Sequence, residues 1–247
     1  MYFVIPSLAR HSIINEKTLK LLNNYNITKN SIYVFVVEEE YEKYRKEIDK
    51  DINIIVGEKG IAEQRAFISR YFNEGEKLVS LDDDISKIYE LKNNKLIELD
   101  NLYKLCDKAF TLLNGEGMVG VYPTDNPYYM SHSVATDLKF CIGQMRMFYN
   151  TQSIENSRNY KLLEDYETSL KYWLEKKIRR FNNICLKADF NKLSGGLKTI
   201  CKRDYHTKAL EVDKFYEQYK PYCFVSDRLT QTGRKIDIRF KSKLSRK

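Results

Sequence analysis

Lys77-Leu78-Val79-Ser80-Leu81-Asp82-Asp83-Asp84-Ile85 is an apolar run that ends in three consecutive carboxylates. Such a run reads as a buried strand whose last residues emerge at the edge of a sheet, where open α/β sheets place their ligands. Three adjacent acids repel one another, and two-residue alternation along a strand sends Asp82 and Asp84 to the same side. That geometry suits one hard divalent cation with oxygen ligands. The competing reading is a solvated acidic turn; the apolar strand in front of the acids tips the balance toward a metal site.

Upstream of this stretch the pattern repeats. Tyr2-Phe3-Val4-Ile5 is a first buried strand, stopped by Pro6 and turned into Ser7-Leu8-Ala9-Arg10. A helix carrying Leu19, Leu21 and Leu22 follows, with Asn15 as N-cap and Glu16 in its first turn, ending near Asn23-Asn24. Residues 32–37 form the second strand, finishing in Glu38-Glu39-Glu40, and a helix over 41–48 leads to a short strand over 52–56. Gly57 and Gly60 open a loop into a helix bearing Ile61, Ala62, Arg65, Ile68, Ser69 and Phe72. Four strands alternate with three helices within 85 residues, which predicts a parallel sheet covered on both faces. Its functional edge gathers Ser7, Arg10, Glu38, the Gly57 loop and Asp82 to Asp84.

Downstream the order is mixed. Two alternating segments flank Lys92-Asn93-Asn94-Lys95 and predict a hairpin. Leu102, Leu105, Cys106, Ala109, Phe110 and Leu113 share a helical face that ends at Gly115 and Gly117. Residues 118–122 read as a strand stopped by Pro123, and 138–149 as a strand with Gly143 at a bulge or a close backbone approach. Residues 150–159 read as a polar loop, and Leu162-Leu163-Glu164-Asp165-Tyr166 starts a helix whose acids sit where its dipole favours them. Further strand (178–186), a Ser194-Gly195-Gly196-Leu197 loop, a helix over 207–219 and a closing strand over 236–240 complete the chain. The expected fold class is therefore α/β, in one domain without repeats or linkers.

The composition narrows the function. The chain has 247 residues, 43% of them hydrophobic, and no window of eighteen apolar residues; it begins on a strand and not on a leader, so a soluble, cytoplasmic protein with no membrane span is expected. Five scattered cysteines without a Cys-x-x-Cys pair indicate neither a disulfide framework nor a zinc knuckle. The three histidines are equally scattered, and His206 is the weakest of the metal-ligand candidates. The net charge of +8 is uneven: the last fourteen residues hold seven Lys and Arg against Asp237 alone. Such an end attracts a polyanion such as nucleic acid, or serves only as a solubilising terminus.

Glu164-Asp165 is a second carboxylate cluster some eighty residues after the first. A transferase using an activated sugar needs a cation against the leaving diphosphate and a carboxylate that takes the acceptor hydroxyl's proton. On spacing alone, acids at a helix start are equally ordinary capping. Resemblance supplies the assignment. Ile5-Pro6-Ser7-Leu8-Ala9-Arg10, Gly60-Ile61-Ala62-Glu63-Gln64-Arg65, Leu81-Asp82-Asp83-Asp84-Ile85 and Glu164-Asp165-Tyr166 stand in the order seen in inverting glycosyltransferases of the GT-A fold. Gly120-Val121-Tyr122-Pro123, Asn126-Pro127-Tyr128-Tyr129-Met130, Gly195-Gly196-Leu197 and Ile236-Asp237-Ile238-Arg239-Phe240 resemble one branch, the phage and viral glycosyltransferases related to the base J glucosyltransferase.

The resemblance implies a GT-A fold, a Rossmann-like mostly parallel sheet with a mixed C-terminal acceptor half. It divides the single domain into a nucleotide-sugar half (1–86), an acceptor half (87–233) and a basic tail (234–247). It implies transfer from a nucleotide sugar, such as UDP-glucose, to the hydroxyl of a hydroxymethylated pyrimidine in DNA, in a cell infected by a phage or virus. Asp82 and Asp84 would hold Mn²⁺ or Mg²⁺, with Asp83 beside them; Asp165 would be the general base and Glu164 its neighbour. Pro6, Ser7, Arg10, Glu38, Arg65, Asp82 and Asp83 would line the nucleotide pocket, and Arg65, Arg179 or Arg180 would face the leaving diphosphate. Ala66 stands where many relatives have Asn, which removes a polar contact. A glycan, lipid or protein acceptor, and a non-catalytic nucleic-acid-binding protein using Tyr128, Tyr129 and Trp173, are the alternatives.

Overall fold

The structure is a computed structural model that describes residues 1–188, 204–230 and 233–241. The Gly195-Gly196-Leu197 loop, Cys201 and the terminal Lys243, Arg246 and Lys247 lie outside the described residues. In chain order the regular elements are β1 (Tyr2–Pro6), α1 (His11–Ile14), α2 (Lys20–Asn24), β2 (Ile32–Val36), α3 (Tyr41–Glu47), β3 (Asn53–Val56), α4 (Ile61–Tyr71) and β4 (Lys77–Leu81). Then come β5 (Ile85–Lys92), β6 (Lys95–Glu98), α5 (Leu102–Leu113), β7 (Met118–Val121), β8 (Val134–Ala135) and β9 (Met145–Tyr149). The chain continues with α6 (Gln152–Glu155), α7 (Glu164–Glu175), β10 (Ile178–Phe181), β11 (Ile184–Ala188), α8 (Tyr205–Tyr219), β12 (Cys223–Thr230) and β13 (Gly233–Phe240).

The central sheet has eight strands in the order β3-β2-β1-β4-β9-β7-β10-β8. β3, β2, β1 and β4 are mutually parallel, β9 runs against β4 and β7, and β10 is parallel to β7. The expected α/β class is what forms, and strand alternation explains its packing. Phe3, Ile5, Val34, Val36, Val79 and Leu81 enter the core on the side of α2 and α5. Val4, Phe35, Leu78 and Phe148 enter the other, with residues of α4, α7 and α8. Both faces are therefore covered, as a parallel sheet requires.

Several local readings change. The hairpin turn at Asn93-Asn94 holds both residues at positive φ, 50° and 60°, the conformation that Asn tolerates in a two-residue turn. The 138–149 segment becomes strand only from Met145; before it the Phe140 and Gly143 carbonyls accept from Arg180 and Arg65, and the Cys141 amide donates to Ser169 Oγ. The polar 150–159 stretch contains α6: its Glu155 is 1% exposed and pairs with Arg146 and Arg158, so polarity there marks a buried ion pair. The 178–186 run splits at Asn182-Asn183 into β10 and β11, the latter joining a small antiparallel sheet in the order β11-β5-β6. β12 has no counterpart in the sequence reading, since its Ser226, Asp227 and Arg228 break the apolar alternation. It pairs with β13 in a hairpin packed on α8, so Arg234, Lys235 and Arg239, grouped with the tail in the sequence, stand on a strand.

Candidate active site

A cleft of about 730 Å³ opens at the carboxyl ends of β1 and β4. Pro6, Ser7 and Arg10 line it after β1, Gly60 and Arg65 at the start of α4, Asp82 and Asp83 after β4, and Glu164, Asp165 and Tyr166 at the start of α7. Lys208, Arg228, Arg234, Lys235 and Asp237, from α8 and the β12–β13 hairpin, form the opposite wall. Strand-end acids and helix-start acids, eighty residues apart in sequence, thus border one cavity.

The acids lie in the turn between β4 and β5, beyond the strand itself, so each faces different company and strand alternation does not govern them. Thr18, in the π-helical stretch between α1 and α2, braces the turn: its hydroxyl donates to the Asp82 carbonyl (2.7 Å) and accepts from the Ile85 amide (3.0 Å). Asp82 accepts Arg65 Nη2 at 3.0 Å, with 21% of its side chain exposed to the cleft. Asp83 is buried, bonded by Arg10 Nη1 (2.6 Å) and Ser7 Oγ (2.6 Å). Burial raises the Asp83 carboxyl, against Arg10 and Ser7, which lower it. Asp84 is 1% exposed and lies behind the cleft lining; it accepts Arg10 Nη1 at 3.0 Å through Oδ2. Burial, then Asp82 and Asp83, push its carboxyl up to about 6.

A residue with no sequence signal holds this corner. The Ser7 proton goes to Asp83, so the Tyr44 hydroxyl donates to Ser7 Oγ (2.7 Å) while accepting the Arg10 amide (3.1 Å). Glu40 accepts the Ala9 amide (2.7 Å) at a positive φ of 54°, and Glu47 meets His11 Nδ1 at 2.6 Å. The 40, 44, 47 spacing puts all three on one side of a helix, and that spacing is the only trace of the clamp in the sequence.

Arg65 joins the two acid clusters. It is 4% exposed, pairs with Glu164 through Nη1, and gives Nη2 to Asp82 and to the Gly143 carbonyl (2.8 Å). A Cβ on Gly143 would stand 2.5 Å from Nη1, so the close backbone approach expected at this glycine is real. Burial and the neighbouring Arg146 lower Arg65 to about 10, with Asp82 opposing. Arg158 bonds Glu164 and Glu155, and Glu155 faces Arg146, giving a buried alternation of charge from Asp82 to the sheet centre. Breaking one member of such a chain leaves an unpaired buried charge, costing about 3–5 kcal/mol.

Asp165 is half-buried on the cleft wall. Burial raises its carboxyl above the usual range; Arg65 and the Tyr166 and Gly143 amides oppose this, and Asp237 adds to it. A carboxylate kept from full solvation beside an open cavity has the character of a general base. Besides Asp84, four sequence candidates fall outside the lining. Glu38 is exposed in a short 3-10 turn, and its neighbour Val37 faces the cleft instead. Arg179 bonds the Ile178 carbonyl, Arg180 bonds the Phe140 carbonyl and covers Tyr122, and His206 is exposed on α8. Besides Arg10 and Arg65 the cleft cations are Lys161, Lys208, Arg228, Arg234 and Lys235; the sequence singled out only the last two, as part of the basic tail.

The acid turn can be tested against a divalent cation. Asp84 Oδ1 is buried without a hydrogen-bond partner, and Asp82 faces the cleft. Both are hard oxygen donors, and a Mg²⁺-sized ion takes one or two carboxylates, completing its shell with phosphate oxygens and water. Among the described residues no three His, Cys, Asp or Glu form a fuller cluster. The donor chemistry is that of a hard-cation site, with Asp82 the member that faces the cleft and Asp84 Oδ1 the unpaired oxygen behind it.

The strand order and the position of the cleft define an α/β fold with a large, mostly parallel central sheet and its cavity at the strand ends. The chain matches no protein-family model and no curated protein. Among solved structures it is similar to glucosyl-3-phosphoglycerate synthase from Mycobacterium tuberculosis, solved in complex with Mg²⁺ and uridine diphosphate, at 9% identity over 99% of this chain and 89% of that one, with a TM-score of 0.45. It is also similar to 4-diphosphocytidyl-2C-methyl-D-erythritol synthase from Anaerococcus prevotii, at 10% identity over 88% of this chain and 95% of that one, with a TM-score of 0.44. Among the described residues no helix is long and apolar enough to cross a membrane.

Proposed function

We propose that the protein is a metal-dependent, inverting glycosyltransferase that moves a sugar from a UDP-sugar to the hydroxyl of a hydroxymethylated pyrimidine in DNA. The observation that carries the reading is a single cleft bordered by Asp82 and Asp83 on one side and Asp165 on another, with Arg65 bonded between the clusters. Ser7, held by Tyr44, and the backbone after Pro6 shape the nucleotide end. Asp82 and Asp84 would hold Mn²⁺ or Mg²⁺, which supplies charge neutralisation for the departing diphosphate. Arg65 keeps Asp82 oriented, and its own charge faces the same anion.

Asp165 accepts the proton of the acceptor hydroxyl as that oxygen bonds to the anomeric carbon and the carbon–oxygen bond to the diphosphate breaks. Attack opposite the leaving group inverts the centre. Glu164 stays paired with Arg65 and Arg158, so it acts by placing Arg65 and leaves the proton transfer to Asp165. The cationic opposite wall and the resemblance to DNA-modifying enzymes support a polyanionic acceptor over a glycan, lipid or protein.

The test is incubation with a panel of UDP-sugars, Mn²⁺ or Mg²⁺, and DNA with or without hydroxymethylated pyrimidines, read by mass spectrometry of the nucleosides. The expected result is addition of one sugar to the hydroxymethylated base alone, lost in Asp82→Ala. Transfer to none of these DNAs contradicts the acceptor, and absence of both transfer and UDP-sugar hydrolysis contradicts the enzyme.

A further inference from the structure

On the wall opposite the acids, two cations face each other with no acid between them. In the β12–β13 ladder Arg228 stands directly across from Lys235, and Ser226 directly across from Asp237, two residues along on the same face. Residues so paired hold their Cβ atoms about 5 Å apart, and like charges in that position destabilise the sheet. Both side chains are exposed, and both residues line the cleft. The neighbouring cations are already engaged: Lys208 with Asp237 (3.2 Å), and Arg234, on the other face of the ladder, with Asp227 (2.6 Å). Among the described residues Arg228 and Lys235 take part in no ion pair. An anion held between them would relieve their repulsion, so the pair is a cost to the sheet that a bound phosphate offsets.

The ladder also sets how far this pair stands from the reacting groups. Asp237 accepts the Tyr166 hydroxyl, and Tyr166 follows Asp165, so this face of the hairpin is tied to the residue beside the general base. At about 3.3 Å per residue, Arg228 and Lys235 stand roughly 7 Å further along the same face. One nucleotide spans such an interval, from the 5-substituent of a pyrimidine to a phosphate on its own sugar. The donor's diphosphate belongs across the cleft, with Asp82 and Arg65. We propose that Arg228 and Lys235 form a subsite for one phosphate flanking the target nucleotide, which sets the reach of the hydroxymethyl group to Asp165. This rests on the DNA-acceptor reading above and deepens it by naming the contact that positions the acceptor.

The experiment uses an oligonucleotide with one hydroxymethylated pyrimidine, in the strand form that supports transfer, carrying a neutral methylphosphonate at a single linkage placed in turn along the strand. Binding is read by fluorescence anisotropy, independent of turnover, and acceptor KM by transfer. The expected result is that neutralising one linkage beside the target weakens binding and raises acceptor KM ten-fold or more, with smaller effects further out. The double variant Arg228→Ala, Lys235→Ala loses a similar factor on the all-phosphate strand. It loses little more on the strand already neutralised at that linkage, because groups in contact are not additive. The charge-retaining double variant Arg228→Lys, Lys235→Arg keeps most of the affinity. Equal losses at every linkage, additive losses, or a raised UDP-sugar KM in place of a raised acceptor KM overturns the subsite and leaves the acceptor reading standing. Transfer to no hydroxymethylated DNA overturns both.

Discussion

At the scale of single residues, the same side-chain type does different work according to what surrounds it. Asp83 and Asp84 are tied down by Arg10, whereas Asp165 meets the cleft with only backbone amides and a shared arginine to oppose its burial. Its basic form therefore appears only above the ordinary carboxylate range. The expected pH profile of kcat/KM climbs through an apparent pKa higher than that of a free aspartate, since deprotonation creates the base. Asp237 raises Asp165 by like charge, from a strand whose Asp237 also pairs with Lys208 at 3.2 Å. Asp237→Asn should shift this limb to lower pH, read from profiles of the two proteins at matched ionic strength. An unmoved limb would mean that the pair is too well screened to matter. Tyr44→Phe removes one hydroxyl bridging Ser7 and the Arg10 amide. A hydrogen bond of that kind is worth about 1 kcal/mol, so the expected effect is a donor KM raised about five-fold with kcat nearly unchanged, measured by steady-state kinetics.

At the scale of elements, the site depends on irregular segments meeting regular ones. Gly143 lies where 140–144 crosses Arg65, and Gly143→Ala would drive a methyl into the guanidinium. Overpacking of that sort costs about 1–3 kcal/mol, so a lowered melting temperature is expected together with loss of activity as Arg65 leaves Asp82 and Glu164. The alternation of the first 85 residues was legible because β1, β2 and β4 are apolar runs buried on both faces, separated by helical segments, and the acids after Leu81 were legible as a strand end. The turn geometry was not, because which way Asp82 to Asp84 point depends on Thr18 and Arg10, far away in sequence. α6 was hidden because buried Glu155 looks like loop polarity, and β12 because one side of it faces solvent and carries charge. Tyr44 was hidden for a different reason: a helical tyrosine reads as amphipathic packing until its hydroxyl partners are known. Resemblance pointed to Asp165, and spacing alone did not; the cleft now gives that choice a physical setting.

At the scale of the whole molecule, two halves of the chain converge on one cavity: strand ends from the first 85 residues and the α7, α8 and hairpin wall from the rest. On the proposed function, a nucleotide sugar bound there would link them and stabilise the native state by mass action. UDP with Mn²⁺ or Mg²⁺ should therefore raise the melting temperature, and UDP with chelator should raise it much less, because Asp84 Oδ1 then keeps its unpaired burial. The cationic wall should make DNA affinity fall steeply with salt. In the double variant Arg228→Ala, Lys235→Ala the slope should be shallower by about 0.9 for each phosphate that is no longer neutralised. The most direct measurement is Asp165→Asn assayed for UDP-sugar binding by calorimetry and for transfer in a single turnover. The expected result is donor affinity close to that of the unaltered protein with transfer slowed about 10²- to 10⁴-fold; full-rate transfer by Asp165→Asn would contradict the assignment of the base.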